Sequence, residues 1–454
     1  MIHKYQLNGF NIVLDVNSGA VHVVDDLFYQ MLDYLTPPLP EKCPETIFQA
    51  FPEHSREELE ELYGEIYDLF IHGQLYSVDD YDQFANRMTS SPVKAMCLHI
   101  AHDCNLRCKY CFASTGDFGE GRKLMPLEVG KKAIDYLIYH SKGRHNLEVD
   151  FFGGEPLMNF DVVKEIVKYA RSLEKEHNKL FRFTITTNGM LLTPDKMDFI
   201  NREMHNVVLS IDGRKEVNDA IRSRVDGSGC YDSIMPKFQE FVKLRGDGQY
   251  YVRGTFTAHN LDFGEDVLHL NEQGFDQISV EPVVADPKEE YALTEEHLPA
   301  IFAEYERLAK IMIERKKAGT GFNFFHFMID LDQGPCAIKR LRGCGCGNEY
   351  VAITPDGDVY PCHQFVGQSQ WKMGNVFDMS IDEDMKLKFA RSTVLHKEEC
   401  KDCWAKFYCS GGCNANSAQY RGDILKPVAL SCALEKKRVE CAIMIKAALA
   451  EDQE

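Results

Sequence analysis

The stretch Cys104-Asn-Leu-Arg-Cys108-Lys-Tyr-Cys111 is the most informative part of this 454-residue chain. It offers three cysteines at the spacing C-x3-C-x2-C and no fourth. A [4Fe–4S] cluster is normally held by four cysteines, so three leave one iron free to bind another ligand. A structural zinc site is the alternative, but zinc takes four ligands, typically as paired C-x2-C knuckles. The spacing therefore favours an incompletely ligated iron–sulfur cluster.

The overall composition predicts a soluble, cytoplasmic protein without a membrane contact. Hydrophobic residues make up 44% of the chain, and no run approaches the roughly 18 apolar residues of a membrane span. The net charge of -19 argues against a nucleic-acid partner, which needs clustered lysine and arginine. In a reducing compartment cysteines rarely form disulfides, so the 16 cysteines indicate bound metal.

Residues 1–85 form the first of three predicted domains, a small winged-helix-like module. Tyr5–Val13 and Val21–Val24 flank a turn and predict a hairpin. Two helical runs follow, and Gln74–Ser77 is predicted to be a final strand. The polar stretch 79–91 then reads as a linker.

Residues 93–320 alternate apolar strands with amphipathic helices, which predicts an α/β domain with a curled parallel sheet, a partial (β/α)6 TIM-like barrel. The six predicted strands are Ala95–Ala101, Leu147–Phe152, Phe181–Thr186, Val207–Ile211, Tyr251–Thr257 and Gln277–Val283.

Unusual polar and glycine-rich motifs directly follow the first four of these strands. The cysteine loop follows the first, Gly153-Gly154-Glu155-Pro156 the second and Thr187-Asn188-Gly189 the third, while Ser210 and Asp212 end the fourth. The carboxyl ends of barrel strands meet at one rim, where barrel enzymes place their chemistry. Core packing does not predict this coincidence, so we expect a functional site there.

Residues 321–454 form the third predicted domain, which is rich in cysteine and glycine. Its motifs are Cys344-Gly-Cys346, the segment Gly357-Asp-Val-Tyr-Pro-Cys362, the series Cys400-x2-Cys403-x5-Cys409-x3-Cys413, and Cys432. A domain so poor in long apolar runs needs stabilisation beyond its hydrophobic core, and bound metal clusters supply it.

These motifs together resemble those of the radical SAM superfamily, whose open cluster binds S-adenosylmethionine (SAM), and the third domain resembles the seven-cysteine SPASM domain. With the N-terminal module, the whole chain resembles maturases of ribosomally made peptides. The segments around Gly343-Cys344-Gly345 and Pro361-Cys362-His363 are most similar to the thioether-forming maturases of six-cysteines-in-forty-five-residues (SCIFF) peptides, a sactipeptide/ranthipeptide type.

The resemblance implies a SAM site at the barrel rim. Tyr110 would pack beside the adenine, Gly154 would hold the methionyl amino group, and Arg222 would suit the carboxylate, which a guanidinium binds bidentately. The residues implied for the site are Tyr110, Gly153, Gly154, Glu155, Ser210, Asp212, Arg222 and Val283.

The resemblance also implies three [4Fe–4S] clusters. Cys104, Cys108 and Cys111 would hold the radical SAM cluster. Cys400, Cys403, Cys409 and Cys432 would hold the second auxiliary cluster. Cys362 and Cys413 would hold the first, with Cys344 favoured over Cys346. Whether Cys336 completes that first set, or one iron stays open for a substrate thiolate, is left undecided.

The activity implied is reductive cleavage of SAM to a 5′-deoxyadenosyl radical and formation of thioether crosslinks, from cysteine sulfur to a carbon (of threonine by expectation), within a cysteine-rich precursor peptide. The N-terminal module would bind the leader, and a flavodoxin or ferredoxin would supply electrons. No protein side chain is assigned as catalytic. The precursor, the number of crosslinks and the choice of α or γ carbon are not specified by the sequence.

Two other functions compete with this one. Anaerobic sulfatase-maturing enzymes, which generate formylglycine, resemble the barrel and SPASM motifs, but they carry an aspartate where this chain has His363. A non-catalytic iron–sulfur protein that binds peptides or transfers electrons would explain the cysteines. It would not explain Gly154, Ser210 and Arg222 along one rim.

Overall fold

The computed structural model describes residues 1–81, 83, 89–331 and 337–450. Its first part is a three-stranded antiparallel sheet in the order β1-β2-β3, covered on one face by helices. The elements are β1 (Ile2–Leu7), β2 (Phe10–Asp15), β3 (Val21–Val24), α1 (Asp26–Met31), α2 (Glu45–Ala50) and α3 (Arg56–Ile71).

The strand predicted over Tyr5–Val13 is wrong, because the chain reverses in its middle. Asn8 and Gly9 both have positive φ, 49° and 89°, and form the two-residue turn that joins β1 to β2. Asparagine followed by glycine is the preferred sequence for such a turn. The final strand predicted over Gln74–Ser77 is also absent from the described structure; Gln74 and Leu75 instead donate backbone hydrogen bonds to Leu69 at the end of α3.

The module is fixed to the C-terminal part of the chain through β1. The ring of His3 stacks on that of Trp404, and Tyr5 donates a hydrogen bond to the backbone oxygen of Glu440. Val13 packs toward the module's helices, while its neighbours on β2, Ile12 and Leu14, face the main core. The opposite edge strand, β3, pairs only with β2 among the described residues.

The second part is an alternating α/β domain. Its strands are β4 (Ala95–His102), β5 (Leu106–Cys108), β6 (Lys123–Leu124), β7 (Asn146–Gly153), β8 (Leu180–Thr187), β9 (Met204–Ser210), β10 (Arg222–Arg224), β11 (Gln249–Phe256), β12 (Gln277–Pro282) and β13 (Asn323–Phe324). Its helices are α4 (Leu127–Ser141), α5 (Phe160–His177), α6 (Pro194–Glu203), α7 (Lys215–Ile221), α8 (Tyr231–Arg245), α9 (Phe263–Glu272) and α10 (Leu298–Lys317).

Six parallel strands run in the order β4-β7-β8-β9-β11-β12, as the sequence predicts. Within the described residues β4 and β12 do not pair with each other, so the barrel is open. Leu147, Val149 and Phe151 alternate along β7 and are fully buried against the helices, while the intervening residues face the barrel interior. Because the six strands are parallel, their carboxyl ends all lie at the same rim of the barrel.

The third part adds short strands and small helices. They are β14 (Tyr350–Ile353), β15 (Asp358–Tyr360), β16 (Gly374–Asn375), α11 (Ala337–Arg342), α12 (Glu383–Ala390), α13 (Glu398–Lys401), α14 (Lys406–Cys409), α15 (Asn414–Arg421) and α16 (Ala429–Ala450). Strand β14 pairs in parallel with β4, so the barrel sheet continues into this part. None of the helices in the described ranges combines the length and apolar character needed to cross a membrane.

Candidate functional site

The carboxyl ends of the barrel strands enclose a cavity of about 140 Å³. All three cysteines of the C-x3-C-x2-C loop line it, together with most of the residues predicted for SAM. The predicted residues in its lining are Cys104, Cys108, Cys111, Tyr110, Gly153, Gly154, Glu155, Ser210 and Arg222. Asp212 and Val283 are buried close by but lie outside that lining.

The cysteine loop is held in place by backbone contacts on both sides. Strand β5 pairs with β10, and this register puts Cys108 opposite Arg222. Gly116 adopts a φ of 105°, and a Cβ there would lie 2.7 Å from Cβ of Cys104. Only glycine satisfies both constraints at that position. The conformation of the loop is therefore fixed by contacts within the protein.

Burial raises the pKa of the Cys104 thiol to about 11 and that of the Cys108 thiol to about 12. Such thiols stay protonated at neutral pH in the metal-free protein. Thiolates are the form that ligates iron, so assembly of a cluster here must displace protons.

Glu155 connects the ends of β7 and β8. Its carboxylate accepts hydrogen bonds from the backbone N–H of Leu157 and Asn188 and from the hydroxyl of Thr187, at 3.0, 2.8 and 2.7 Å. The carboxylate is thus largely engaged within the protein, where it holds the turn after β7 against the end of β8.

The adjoining glycines are required by the backbone itself. A Cβ on Gly153 would lie 2.2 Å from the carbonyl oxygen of Ala101, and one on Gly154 would lie 2.0 Å from that of Asp103. Contacts this short do not occur with a real Cβ. The two glycines let the turn after β7 lie directly against the end of β4, where the cysteine loop begins.

Tyr110, Asp212 and Arg222 form a buried network beneath the cavity. The Tyr110 hydroxyl lies 2.8 Å from both carboxylate oxygens of Asp212 and accepts a hydrogen bond from Nη1 of Arg222 at 2.9 Å. Burial raises the pKa of Asp212, and the charge of Arg222 opposes that shift. Asp212 therefore orients Tyr110 and Arg222 from outside the cavity.

The Nε atom of Arg222 is buried and has no hydrogen-bond partner in the described structure. Leaving a buried donor unpaired is costly, so an acceptor is expected beside it. A carboxylate such as that of SAM fits this donor.

Asn188 is a site residue that the sequence analysis did not select. Its side-chain amide donates to Oδ1 of Asn105 at 2.8 Å and lies 3.6 Å from the sulfur of Cys104. Its place directly after β8, at the shared rim, was the available signal. Val283 donates a backbone hydrogen bond to Phe256, and its side chain is part of the hydrophobic core.

A second cysteine set surrounds a cavity of about 340 Å³ in the third part of the chain. The four cysteines predicted for the second auxiliary cluster all line it: Cys400, Cys403, Cys409 and Cys432. Burial raises the pKa of Cys400 to about 11 and that of Cys409 to about 12. Four thiols around one space match the ligand requirement of a [4Fe–4S] cluster.

The cysteines predicted for the first auxiliary cluster also converge. The Cys346 thiol hydrogen-bonds with the thiols of both Cys344 and Cys362. The hydrogen bond with Cys346 lowers the pKa of the Cys344 thiol. Burial, together with the nearby groups of Cys362 and Cys344, raises the pKa of the Cys413 thiol to about 11. Both members of the Cys344/Cys346 pair are thus close to the set. Cys336 lies outside the described residues.

Both cofactors therefore find suitable residues. Gly153, Gly154 and the spare donor of Arg222 suit an amino acid headgroup at the rim, and three thiol sets suit iron–sulfur clusters. No three His, Cys, Asp or Glu side chains in the parts of the chain described here converge closely enough to hold a single metal ion.

Comparison with known proteins agrees with this architecture. A sequence model of the radical SAM superfamily matches residues 98–281, and the SPASM iron–sulfur cluster-binding domain matches residues 344–404. An uncharacterized protein of Methanocaldococcus jannaschii is 33% identical over 69% of this chain and 96% of its own length.

Two further relatives have named activities. The radical SAM cyclopropyl synthase TigE of Paramaledivibacter caminithermalis is 21% identical, with 94% of this chain and 91% of that protein aligned. A cysteine-type anaerobic sulfatase-maturating enzyme of Clostridium novyi is 24% identical, over 69% of this chain and 86% of its own.

Solved structures share the fold. Native anSMEcpe with bound AdoMet and Kp18Cys peptide has a TM-score of 0.65 at 21% identity, over 79% of this chain and all of that one. Streptococcus suis SuiB bound to precursor peptide SuiA has a TM-score of 0.52 at 17% identity, over 91% and 94%. With its strand-end cysteine loop and its second cysteine-rich region, the chain belongs to the radical SAM superfamily and carries a SPASM domain.

Proposed function

We propose that the protein is a peptide maturase that forms intramolecular thioether crosslinks, from cysteine sulfur to carbon, in a ribosomally made cysteine-rich precursor. The rim cavity with its cysteine loop supports radical chemistry, and the relatives also include the PqqA peptide cyclase of Gluconobacter oxydans, 24% identical over 73% of this chain and 88% of its own length. When bound, SAM supplies a 5′-deoxyadenosyl radical, which removes a hydrogen atom from the acceptor carbon.

The residues of the rim have separate tasks in this proposal. Gly153 and Gly154 present backbone to the amino group of SAM, and Glu155 holds their turn against β8. Arg222 faces the carboxylate, oriented through Tyr110 by Asp212. Cys104, Cys108 and Cys111 hold the cluster that SAM completes.

His363 is the observation that favours crosslinking over formylglycine formation. It follows Cys362 and packs between the rings of Phe112 and Phe152, with centroids 5.2 Å away in each case. Burial lowers the pKa of His363 to about 4. A neutral imidazole packed between two aromatic rings is not a carboxylate, so His363 does not reproduce the aspartate base of sulfatase-maturing enzymes.

We propose that the N-terminal module binds the leader of the precursor at the open edge of β3. Val23 in that strand is 43% exposed. β-Branched residues favour packed strands, and β3 is paired with β2 on one side and open on the other. Peptides commonly bind by adding a strand to such an edge. SuiB, which shares the fold, was solved with its precursor peptide. In this proposal the enzyme acts in the cytoplasm, with a flavodoxin or ferredoxin as electron donor.

The test uses anaerobically reconstituted protein, dithionite, SAM and a cysteine-rich precursor. Each crosslink should remove two hydrogen atoms from the peptide and produce one deoxyadenosine. Retention of every sulfur atom separates a thioether from formylglycine, whose formation from cysteine releases sulfur. A precursor with all cysteines replaced by alanine is the control, and its crosslinking would contradict the proposal. Absence of SAM cleavage would favour the non-catalytic alternative.

A further inference from the structure

Lys397 is a buried lysine between the two auxiliary cysteine sets. Its residue is 1% exposed, and its ammonium donates hydrogen bonds to the carbonyl oxygen of Gly411 at 2.6 Å and to Oδ1 of Asn414 at 3.0 Å. Both acceptors are neutral. The residue lies three positions before Cys400, the first cysteine of the second auxiliary set.

The ammonium has no carboxylate counter-ion in the described part of the chain, where both of its hydrogen bonds go to neutral oxygens. A buried charge without a counter-charge is strongly unfavourable. Burial lowers the pKa of Lys397, whereas the charges of nearby cysteines, from both sets, raise it. With clusters bound, the thiolate ligands of the two cysteine sets would supply the negative charge nearest this ammonium, which lies against the loop between Cys409 and Cys413.

The acceptor Gly411 lies in the loop that joins the two sets. Cys409 belongs to the second set and Cys413 to the first. Between them Ser410, Gly411 and Gly412 all have positive φ, at 58°, 86° and 72°. Three successive residues in this region turn the loop tightly, and its carbonyl at Gly411 meets the ammonium.

The acceptor Asn414 extends the contact toward the first set. Its Oδ1 accepts from Lys397 and from the hydroxyl of Ser392, at 2.8 Å for the latter. Its Nδ2 donates toward the sulfur of Cys346 at 3.8 Å. Because Lys397 and Ser392 both donate to Oδ1, the orientation of the Asn414 amide is fixed and its N–H group faces the sulfur of Cys346.

We propose that Lys397 is a positioning residue that supplies one positive charge shared by both auxiliary clusters and makes their one-electron reduction more favourable. This rests on the cluster ligands assigned above. A [4Fe–4S] cluster with four thiolates carries net negative charge, and an added electron increases it. A nearby ammonium in a low-dielectric interior stabilises the reduced form more than the oxidised form.

The experiment isolates the auxiliary clusters in the full chain. Cys104→Ala, Cys108→Ala and Cys111→Ala together remove the rim cluster, so that only the auxiliary clusters give a signal. Iron is counted, and the midpoint potentials are measured by EPR during titration with dithionite. Lys397→Gln, Lys397→Arg and the unmodified lysine are compared in this background.

Lys179→Gln is the matched control. Lys179 is also buried, and its ammonium likewise donates to two neutral carbonyl oxygens, those of Lys142 and Arg144, but it lies on the barrel rather than among the cysteines. Its replacement should leave the potentials unchanged.

Lys397→Gln should shift both potentials negative, with about a tenfold fall in the equilibrium constant for reduction, ~59 mV for one electron. Lys397→Arg, which keeps the charge, should shift them less. Loss of iron in Lys397→Gln but not in Lys397→Arg or Lys179→Gln would also support the shared charge.

Unchanged potentials in a fully loaded Lys397→Gln variant would overturn the inference. So would equal loss of iron in Lys397→Gln and Lys397→Arg, since that outcome makes the role one of shape. Failure of the background chain itself to load about eight irons, two [4Fe–4S] clusters, would instead contradict the proposed ligand sets.

Discussion

The carboxylate of Glu155 accepts a hydrogen bond from the backbone N–H of Asn188 at 2.8 Å, across the ends of two neighbouring barrel strands. Asn188 in turn donates toward the sulfur of Cys104 and to Asn105. The Gly-Gly-Glu turn and the cysteine loop are thereby connected through a residue that belongs to neither motif.

Glu155→Gln should weaken both stability and SAM affinity. The glutamine has only one acceptor oxygen, so at least one buried donor among Leu157, Thr187 and Asn188 loses its partner, at about 1–3 kcal/mol. Denaturant unfolding of the metal-free protein and SAM titration of the reconstituted protein measure the two effects. Glu148→Gln, at an exposed position of the same strand, is the control. Equal stability of the two variants would contradict the positioning role.

Assembly of the rim cluster should become more favourable as pH rises. The raised pKa values of Cys104 and Cys108, about 11 and 12, mean that each releases a proton when it binds iron. Iron affinity should therefore increase between pH 7 and 9, below both values. Uptake of iron and sulfide by metal-free protein at several pH values measures this. Cys230→Ser, which removes a buried thiol outside the loop, should leave the slope unchanged. A flat profile would mean that the thiols are already ionised.

Loss of one auxiliary ligand should remove one cluster selectively. Cys400→Ala should lower the iron content by about four atoms per chain and leave SAM-dependent perturbation of the rim cluster's EPR signal intact.

In the first set, Cys344→Ser should abolish the cluster signal and Cys346→Ser should retain it. The reverse result would assign Cys346 as the ligand, whose thiol hydrogen-bonds with that of Cys362 in the structure.

Val23→Pro should impair binding of the precursor. Proline removes a backbone donor from the edge strand β3, so an added peptide strand loses a hydrogen bond and its register. The peptide Kd should rise about tenfold or more, while SAM cleavage without peptide stays unchanged. Val78→Pro, in the exposed segment after the module, controls for proline itself. Equal peptide affinity of the two variants would exclude β3 as the leader site.

The barrel could be predicted because apolar-rich strands alternate with amphipathic helices and a distinct motif follows each of the first four strands. The module was harder. The dipeptide Asn8-Gly9 is itself a turn signal, and the strand predicted over Tyr5–Val13 overlooks it because apolar residues continue on both sides of the turn.

Contacts between distant segments could not be predicted from local pattern. The pairing of β14 with β4 joins residues about 250 positions apart and involves four ordinary strand residues, Tyr350–Ile353. Asp212 was expected beside SAM, and its carboxylate is instead engaged by Tyr110 and Thr255. Lys397 carries no motif, and its significance arises only from what surrounds it.

The continuation of the barrel sheet into β14 also means that a break in the polypeptide between α10 and β14 would not separate the two halves. Four paired positions, from Tyr350 with Ala95 to Ile353 with Leu98, would still hold the two parts together after such a break. The third part of the chain is thus joined to the barrel by backbone pairing as well as by the connecting polypeptide.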